Sequence, residues 1–339
     1  MKDILVKVAN KENLTYEETY QAINTIMSGK SNDAEIASLL TGLSMKGETN
    51  EEITASAAAM RDKAIPVETQ IDTLDIVGTG GDRSYSFNIS STAAMTIAAA
   101  GVPVSKHGNR SASSKSGAAD CIEALGISLD QTPELAQELI NDVGICFLFA
   151  QNYHQSMKYV ASVRKTIGIR TVFNLLGPIT NPAKPKYQVL GVYSEELIEP
   201  MAQVIKSLGV ERGVVVYGQD VMDELSISAP SSVLFFDGDH EERFEIHPQD
   251  YGLGLYNKAD IVGGDPLVNA EITRNVLSGK EEGAKLDIVL LNAGMGLFVA
   301  RKAASIQAGI DLAREAIYSG KAEELLNNYI LRSQRKVLV

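Results

Sequence analysis

Cysteine is nearly absent: Cys121 and Cys146 are the only two in 339 residues. They form no C-x-x-C spacing, and the expectation is two buried thiols in a reducing cytoplasm. Histidine is as scarce, and His107, His154, His240 and His247 are too scattered to make a zinc-type ligand set. Positive charge is in deficit, with 31 Lys and Arg against 43 Asp and Glu and a net charge of -12. That balance argues against a nucleic-acid or anionic-membrane partner, both of which need a basic face. Long apolar runs are missing too. The longest weakly polar stretch, Ala93 to Val104, falls well short of the ~20 residues a membrane span requires. The charged N-terminus, MKDILVKVANKENL, lacks the apolar core of a signal peptide. These absences predict a soluble cytoplasmic protein.

What is present suits a globular enzyme. Hydrophobic residues make up 45% and charged residues 22%, enough for a sizeable core. At roughly 150 residues per domain the length predicts about two domains. The first third reads as helix. Ile4, Leu5 and Val8 form one apolar stripe, and three capping boxes follow, Thr15 to Glu18, Asn32 to Glu35 and Thr49 to Glu52. The last of these helices runs to the break at Pro66. Four helices with no strand between them imply a small all-α unit.

After Pro66 the pattern alternates. Leu74 to Val77, Gly144 to Phe149, Val189 to Val192, Gly213 to Tyr217 and Asp287 to Leu291 read as short buried strands. Helical patterns lie between them at Ala93 to Ala100, Thr132 to Asp142 and Glu195 to Leu208, and the stretch from Met295 to Leu331 reads as helices. The alternation predicts an α/β domain with a mostly parallel central sheet.

The chemistry concentrates between Asp75 and Asp120. The strand ending at Val77 runs into Gly78-Thr79-Gly80-Gly81-Asp82, and Asn88, Ser90 and Ser91 precede a helix. A strand, a glycine loop and a helix N-terminus make an anion site, because unpaired amides and the helix dipole both favour negative charge. The spacing matches neither G-x-x-x-x-G-K-[ST] nor G-x-G-x-x-G. Between Asp82 and Asp120 stand Arg83, Lys106, Arg110 and Lys115 and no acid, an electropositive island suited to a phosphorylated ligand. Asp223-Glu224, after the strand Val214 to Val216 and a glycine turn, suits a hard divalent cation; solvated surface acids are the competing reading, since six Glu-Glu pairs occur elsewhere. Arg164 and Arg170 are candidates to face an anion, and a purely structural role is the competing reading.

With these motifs the sequence resembles the anthranilate phosphoribosyltransferases. The resemblance rests on GTGGD at 78–82, FNIS at 87–90, KHGNRSASSKSG at 106–117, ADCIEALGI at 119–127, RTVFNLLGPITNPA at 170–183, MDE at 222–224, GGDPLVNA at 263–270 and LNAG at 291–294. They occur in the family's order and cover nearly the whole chain. The resemblance implies transfer of a phosphoribosyl group from phosphoribosyl diphosphate to the amine of anthranilate, with release of pyrophosphate. It implies a helical domain over 1–66, joined by helices from about 160–183, and an α/β catalytic domain over 70–339. The implied donor site comprises Gly78, Gly81, Asp82, Ser86, Asn88, Ile89, Ser90, Ser91, Lys106, His107, Gly108, Asn109, Arg110, Ser111, Ala112, Ser113, Ser114 and Ala118. Gly78, Asn109 and Arg164 would line the anthranilate site, and Ser90, Asp223 and Glu224 would hold Mg²⁺. A homodimer through the helical domain is implied as well. Ser86 and Ser91 stand where the family commonly has Thr, Ala118 where Ser is usual, and Gln151 where Pro is usual. No protein nucleophile or base is expected, and His107 is read as a turn residue as readily as a base. A pyrimidine-nucleoside phosphorylase of the same superfamily and a silent nucleic-acid-binding homologue are the alternatives.

Overall fold

The structure, a computed structural model, describes residues 1–111 and 115–335. Four helices open the chain: α1 (Lys2–Ala9), α2 (Tyr16–Met27), α3 (Asp33–Lys46) and α4 (Asn50–Lys63). The caps of α2, α3 and α4 are the three boxes read from sequence, each with its side chain and backbone bonds reciprocated. Glu52 does more than cap. Its buried carboxylate also accepts from Leu14 N–H at 2.9 Å and from Lys46 Nζ at 2.8 Å, tying α3 and α4 to the turn that leads into α2.

The seven strands are β1 (Leu74–Gly78), β2 (Val104–Gly108), β3 (Ile145–Phe149), β4 (Tyr187–Gly191), β5 (Arg212–Gly218), β6 (Ser231–Asp237) and β7 (His240–Ile246). They form one sheet in the order β3-β2-β1-β4-β5-β6-β7. The first five run parallel, and β6 and β7 add an antiparallel hairpin at one edge. Strand alternation divides the core. Ile76, Val189, Val214 and Val216 face a cluster built on α5 (Ile89–Ala99) and the helix Ala284–Val299. Leu190, Val192 and Val215 face the other way, into a cluster shared with α2 to α4 and the helix Ile198–Ser207. Val160, Val163, Val172 and Phe173 belong to that second cluster, so the 158–176 stretch packs with the helical unit. Among the described residues no helix is long and apolar enough to cross a membrane.

Two sequence expectations are corrected, and one element was not foreseen. Asp287 to Leu291 lies inside the helix Ala284–Val299; that helix is apolar on every side, and a fully buried helix shows no period to distinguish it from a buried strand. Lys106-His107-Gly108 is the end of strand β2 and not a turn; its polar residues mask the strand signal. The β6–β7 hairpin went unread because β7, HEERFEI, is a largely exposed polar edge strand.

Candidate active site

The carboxyl ends of β1, β2, β4 and β5 converge where strand order reverses. The chain goes from β1 outward to β2 and β3, then returns to β4 on the opposite side. Crevices at such switch points are where open α/β sheets bind ligands. Here the crevice is shaped by glycine. A Cβ on Gly78, at the end of β1, would collide with the Asp223 carboxylate, and one on Gly191, at the end of β4, with the Asp223 carbonyl. Only bare backbone lets the 222–224 segment lie across both strand ends. Gly80 and Gly81 turn the loop after β1 at φ of 71° and 81°, and Gly80 N–H donates to Asp223 Oδ2 at 2.6 Å. Arg83 and Tyr85 continue in the left-handed region at 58° and 53°, a strained run of the kind concentrated at functional sites.

The acid pair is anchored from behind. Gly218 and Met222 exchange backbone bonds of 2.9 and 3.1 Å, closing a tight turn with Val221 at φ 65°. Lys258 Nζ donates to the carbonyls of Asp220 and Val221 at 2.6 and 3.0 Å. Asn292, buried in the helix Ala284–Val299, accepts from Leu225 N–H and donates to Leu225 C=O, at 3.1 and 3.0 Å. Asp223 and Glu224 therefore cannot drift.

Their electrostatics fit a shared cation. Burial, then the charge of Asp82, pushes the Asp223 carboxyl up to about 7. Burial, then Asp223, pushes Glu224 up to about 8, against the pull of Lys106 and the Ser90 N–H. Asp82 Oδ2 is buried with no hydrogen-bond partner. Crowded, under-neutralised carboxylate oxygens suit a hard cation such as Mg²⁺. Among the described residues no set of three or more His, Cys, Asp or Glu forms a closed metal cage. The donor set suits an ion shared with ligand oxygens and not one enclosed by protein alone.

On the other wall, α5 points its N-terminus into the crevice. Its N-cap, Asn88, makes no side-chain capping bond, and Ser91 Oγ is buried without a partner. Ile89 sends its side chain into the core and its N–H to Phe87 C=O at 2.8 Å. Ser86 meets the Ser84 hydroxyl at 3.2 Å and bridges Val262. Lys106, buried at the end of β2, donates to Ile76 C=O at 2.6 Å and reaches Ser90 Oγ at 3.3 Å. Burial lowers its pKa, and Asp75, Glu224 and Asp223 oppose that.

The electropositive island is less free than its sequence suggests. Arg110 is held by Asp120 at 2.7 Å and Glu123 at 2.9 Å and lies over the Phe149 ring. Asp120 also accepts from Ser111 and Gly117 N–H at 3.2 and 2.9 Å, tying both residues to one carboxylate. Ala118 opens the next helix. Gly108 must lack a side chain because a Cβ would stand 2.8 Å from the Phe147 ring. Ala112, Ser113 and Ser114 lie outside the described residues.

Arg164 stands on the helix Lys158–Ile167. It is partly buried, burial lowers its pKa, and its guanidinium lies 5.4 Å from the Phe173 ring centroid. Among the described residues no carboxylate pairs with it, which is rare for a half-buried cation. Arg170 is engaged instead: Nη2 donates to Gly81 C=O at 3.0 Å, and the group stacks 3.9 Å from the Tyr193 ring centroid. Asn109 Oδ1 accepts from Arg110 N–H at 2.8 Å and Gln151 Nε2 at 3.4 Å. His107 is buried with Nδ1 3.0 Å from Gly177 C=O. Burial, then His154, drives its pKa well below 6.5, so the ring is neutral and weakly basic.

Sequence reasoning missed Asp75, Asn181, Lys258, Asn269 and Asn292. Asp75 is fully buried on β1, accepts from Asn181 Nδ2 at 2.8 Å, and has its pKa raised to about 6 by burial, against the pull of Lys106. An acid within the apolar run Leu-Asp-Ile-Val was the one available signal.

Fold and site together define a glycosyltransferase built from a helical bundle and an α/β domain. The family described as "Glycosyl transferase family, a/b domain" matches residues 70–323, and its "helical bundle domain" matches residues 2–64. Within that class, the chain belongs to the anthranilate phosphoribosyltransferases. It is 49% identical over 336 residues to the anthranilate phosphoribosyltransferase of Lacticaseibacillus paracasei, covering 99% of this chain and 98% of that one. It is 50% identical over 330 residues to that of Methanobrevibacter smithii, covering 97% and 98%. The solved enzyme from Thermus thermophilus superposes with a TM-score of 0.93 at 42% identity, covering 98% of this chain and all of that one. The Saccharomyces cerevisiae enzyme, solved in complex with PRPP and Mg, superposes at 0.90 with 28% identity, covering 98% and 97%.

Proposed function

We propose that this protein transfers the 5-phosphoribosyl group of phosphoribosyl diphosphate to the amine of anthranilate, a step of tryptophan biosynthesis. The observation that carries the reading is the pairing of opposite needs in one crevice. An uncapped helix N-terminus and a glycine loop offer donors to phosphate. The acid pair facing them repels phosphate unless a cation lies between. Asp223, Glu224 and Ser90 would hold Mg²⁺, which when bound neutralises charge on the leaving pyrophosphate.

The remaining work falls to positioning. The Gly81 amide and the positive end of α5 orient the phosphates, with Lys106 close behind. Arg164 grips the anthranilate carboxylate bidentately and aims the amine at C1 of the ribose. The C1–O bond to pyrophosphate breaks as the C1–N bond forms, and the nitrogen then sheds its extra proton. An arylammonium is acidic enough to do so without a dedicated base, which agrees with the neutral, poorly basic His107. Residues 1–66 and about 160–183 act as one helical unit beside the catalytic domain over 70–339. The protein works in the cytoplasm as a homodimer through that unit, without nucleic acid. The test is loss of anthranilate fluorescence on adding phosphoribosyl diphosphate and Mg²⁺.

A further inference from the structure

The GGDPLVNA segment has no assigned role, and its one asparagine, Asn269, is almost fully buried, at 1% exposure. The segment runs beside the donor loop. Gly263 N–H donates to Tyr85 C=O at 2.9 Å, Phe87 N–H donates to Ile261 C=O at 3.1 Å, and a Cβ on Gly263 would stand 2.7 Å from Phe87 Cα. This close approach brings Asn269 against Asn88.

The polarity of that contact is fixed by a group that has only one. The Gly264 backbone N–H, which only donates, points at Asn269 Oδ1 at 2.8 Å. The Asn269 amide therefore turns its Nδ2 toward Asn88, and Asn88 accepts with Oδ1 at 3.0 Å. The Ser116 hydroxyl also donates to that oxygen, at 3.4 Å. Two consequences follow. The oxygen an N-cap asparagine normally spends on the helix is spent elsewhere, which is why Asn88 caps nothing. Its NH₂ is left on the opposite side as a double donor.

We propose that Asn269 is a positioning residue for the donor substrate: by holding Asn88 in this orientation it keeps the N-terminus of α5 uncapped and presents the Asn88 amide NH₂ to the donor's phosphates. The inference rests on the donor half of the function proposed above. Asn269→Asp keeps the acceptor for Gly264 but loses the donor to Asn88, which is then released to flip or to cap.

The test is a double-mutant cycle read by calorimetry of phosphoribosyl diphosphate with Mg²⁺. Asn269→Asp is expected to weaken donor binding about tenfold or more, the scale of a lost hydrogen bond to a charged group. In an Asn88→Ala background the same change is expected to cost less than about twofold, since the residue it acts through is gone. The KM for anthranilate at saturating donor stays unchanged. Equal losses in both backgrounds, or unchanged donor affinity in Asn269→Asp, overturn the proposal. Should Asn269→Asp not fold, Asn88→Ser replaces it. Its hydroxyl is too short to reach Asn269 and free to cap α5, so the thermal midpoint rises while donor affinity falls; unchanged affinity overturns the proposal. Calorimetry needs no anthranilate, so a wild-type protein that binds donor without consuming anthranilate sinks the transfer reading and leaves this inference standing.

Discussion

The acceptor half of the proposed mechanism rests on Arg164. Among the described residues its half-buried guanidinium has no carboxylate partner and lies against the Phe173 ring, a setting that suits an anion from outside. Arg164→Ala is expected to weaken anthranilate use by about 1.5–3 kcal/mol, the range for a hydrogen bond to a charged group, and to leave the donor's KM in place. A two-substrate kinetic matrix checks this; parallel rises in both KM values would contradict it. Asp223 and Glu224 make the converse case. Crowding holds both acids above their ordinary range, so their ionised forms destabilise the unliganded fold. Asp223→Asn with Glu224→Gln is expected to lower turnover by orders of magnitude yet raise the thermal midpoint without Mg²⁺, the usual trade between function and stability. A midpoint that falls together with activity would mean the pair is structural. At this scale the sequence was legible wherever residue type alone declares chemistry, as in the acid pair and the glycine loop. It was silent on what Asn269 and Asn292 do, because each buried amide acts on a partner far away in the chain, 181 and 67 residues off, and announces itself only through what it touches.

Elements place these residues by the way they end. β1 and β4 finish in glycines that leave room for the acid turn, so Gly191→Ala is expected to abolish turnover by displacing Asp223; wild-type turnover in that variant would refute the close approach. The capping boxes were legible because caps are local, whereas the helix Ala284–Val299 was misread because burial on all sides erases its period. The end of β2 brings His107 to 5.2 Å from His154 by ring centroids. Burial lowers both, His154 to about 4 from an ordinary 6.5. The unfolded chain takes up protons near pH 6.5 while the folded one resists. Stability from this pair is thus full above pH 6.5 and lost as pH falls toward 4. Urea midpoints between pH 7 and 4 check this, and His154→Gln should flatten the decline; an unaltered decline in that variant would assign it to other groups.

The molecule as a whole divides labour between a helical unit that shares a core with one face of the sheet and a crevice that opens at the sheet's carboxyl edge. Val6 and Met45 of the helical unit are 60% and 74% exposed, apolar surface that a twofold partner would cover. Light scattering is expected to report twice the chain mass of 36.5 kDa; a monomer at micromolar concentration would contradict the dimer. The net charge of -12 is no guide to the local balance in the crevice, where Lys106, Asp82 and Asp223 all act on Glu224. The central claim is the reaction itself. The purified protein is mixed with anthranilate, phosphoribosyl diphosphate and Mg²⁺, and anthranilate fluorescence is followed. The account predicts its loss, abolished by chelating the metal and matched by equimolar pyrophosphate. Undiminished fluorescence, with phosphorolysis of thymidine in its place, would contradict it.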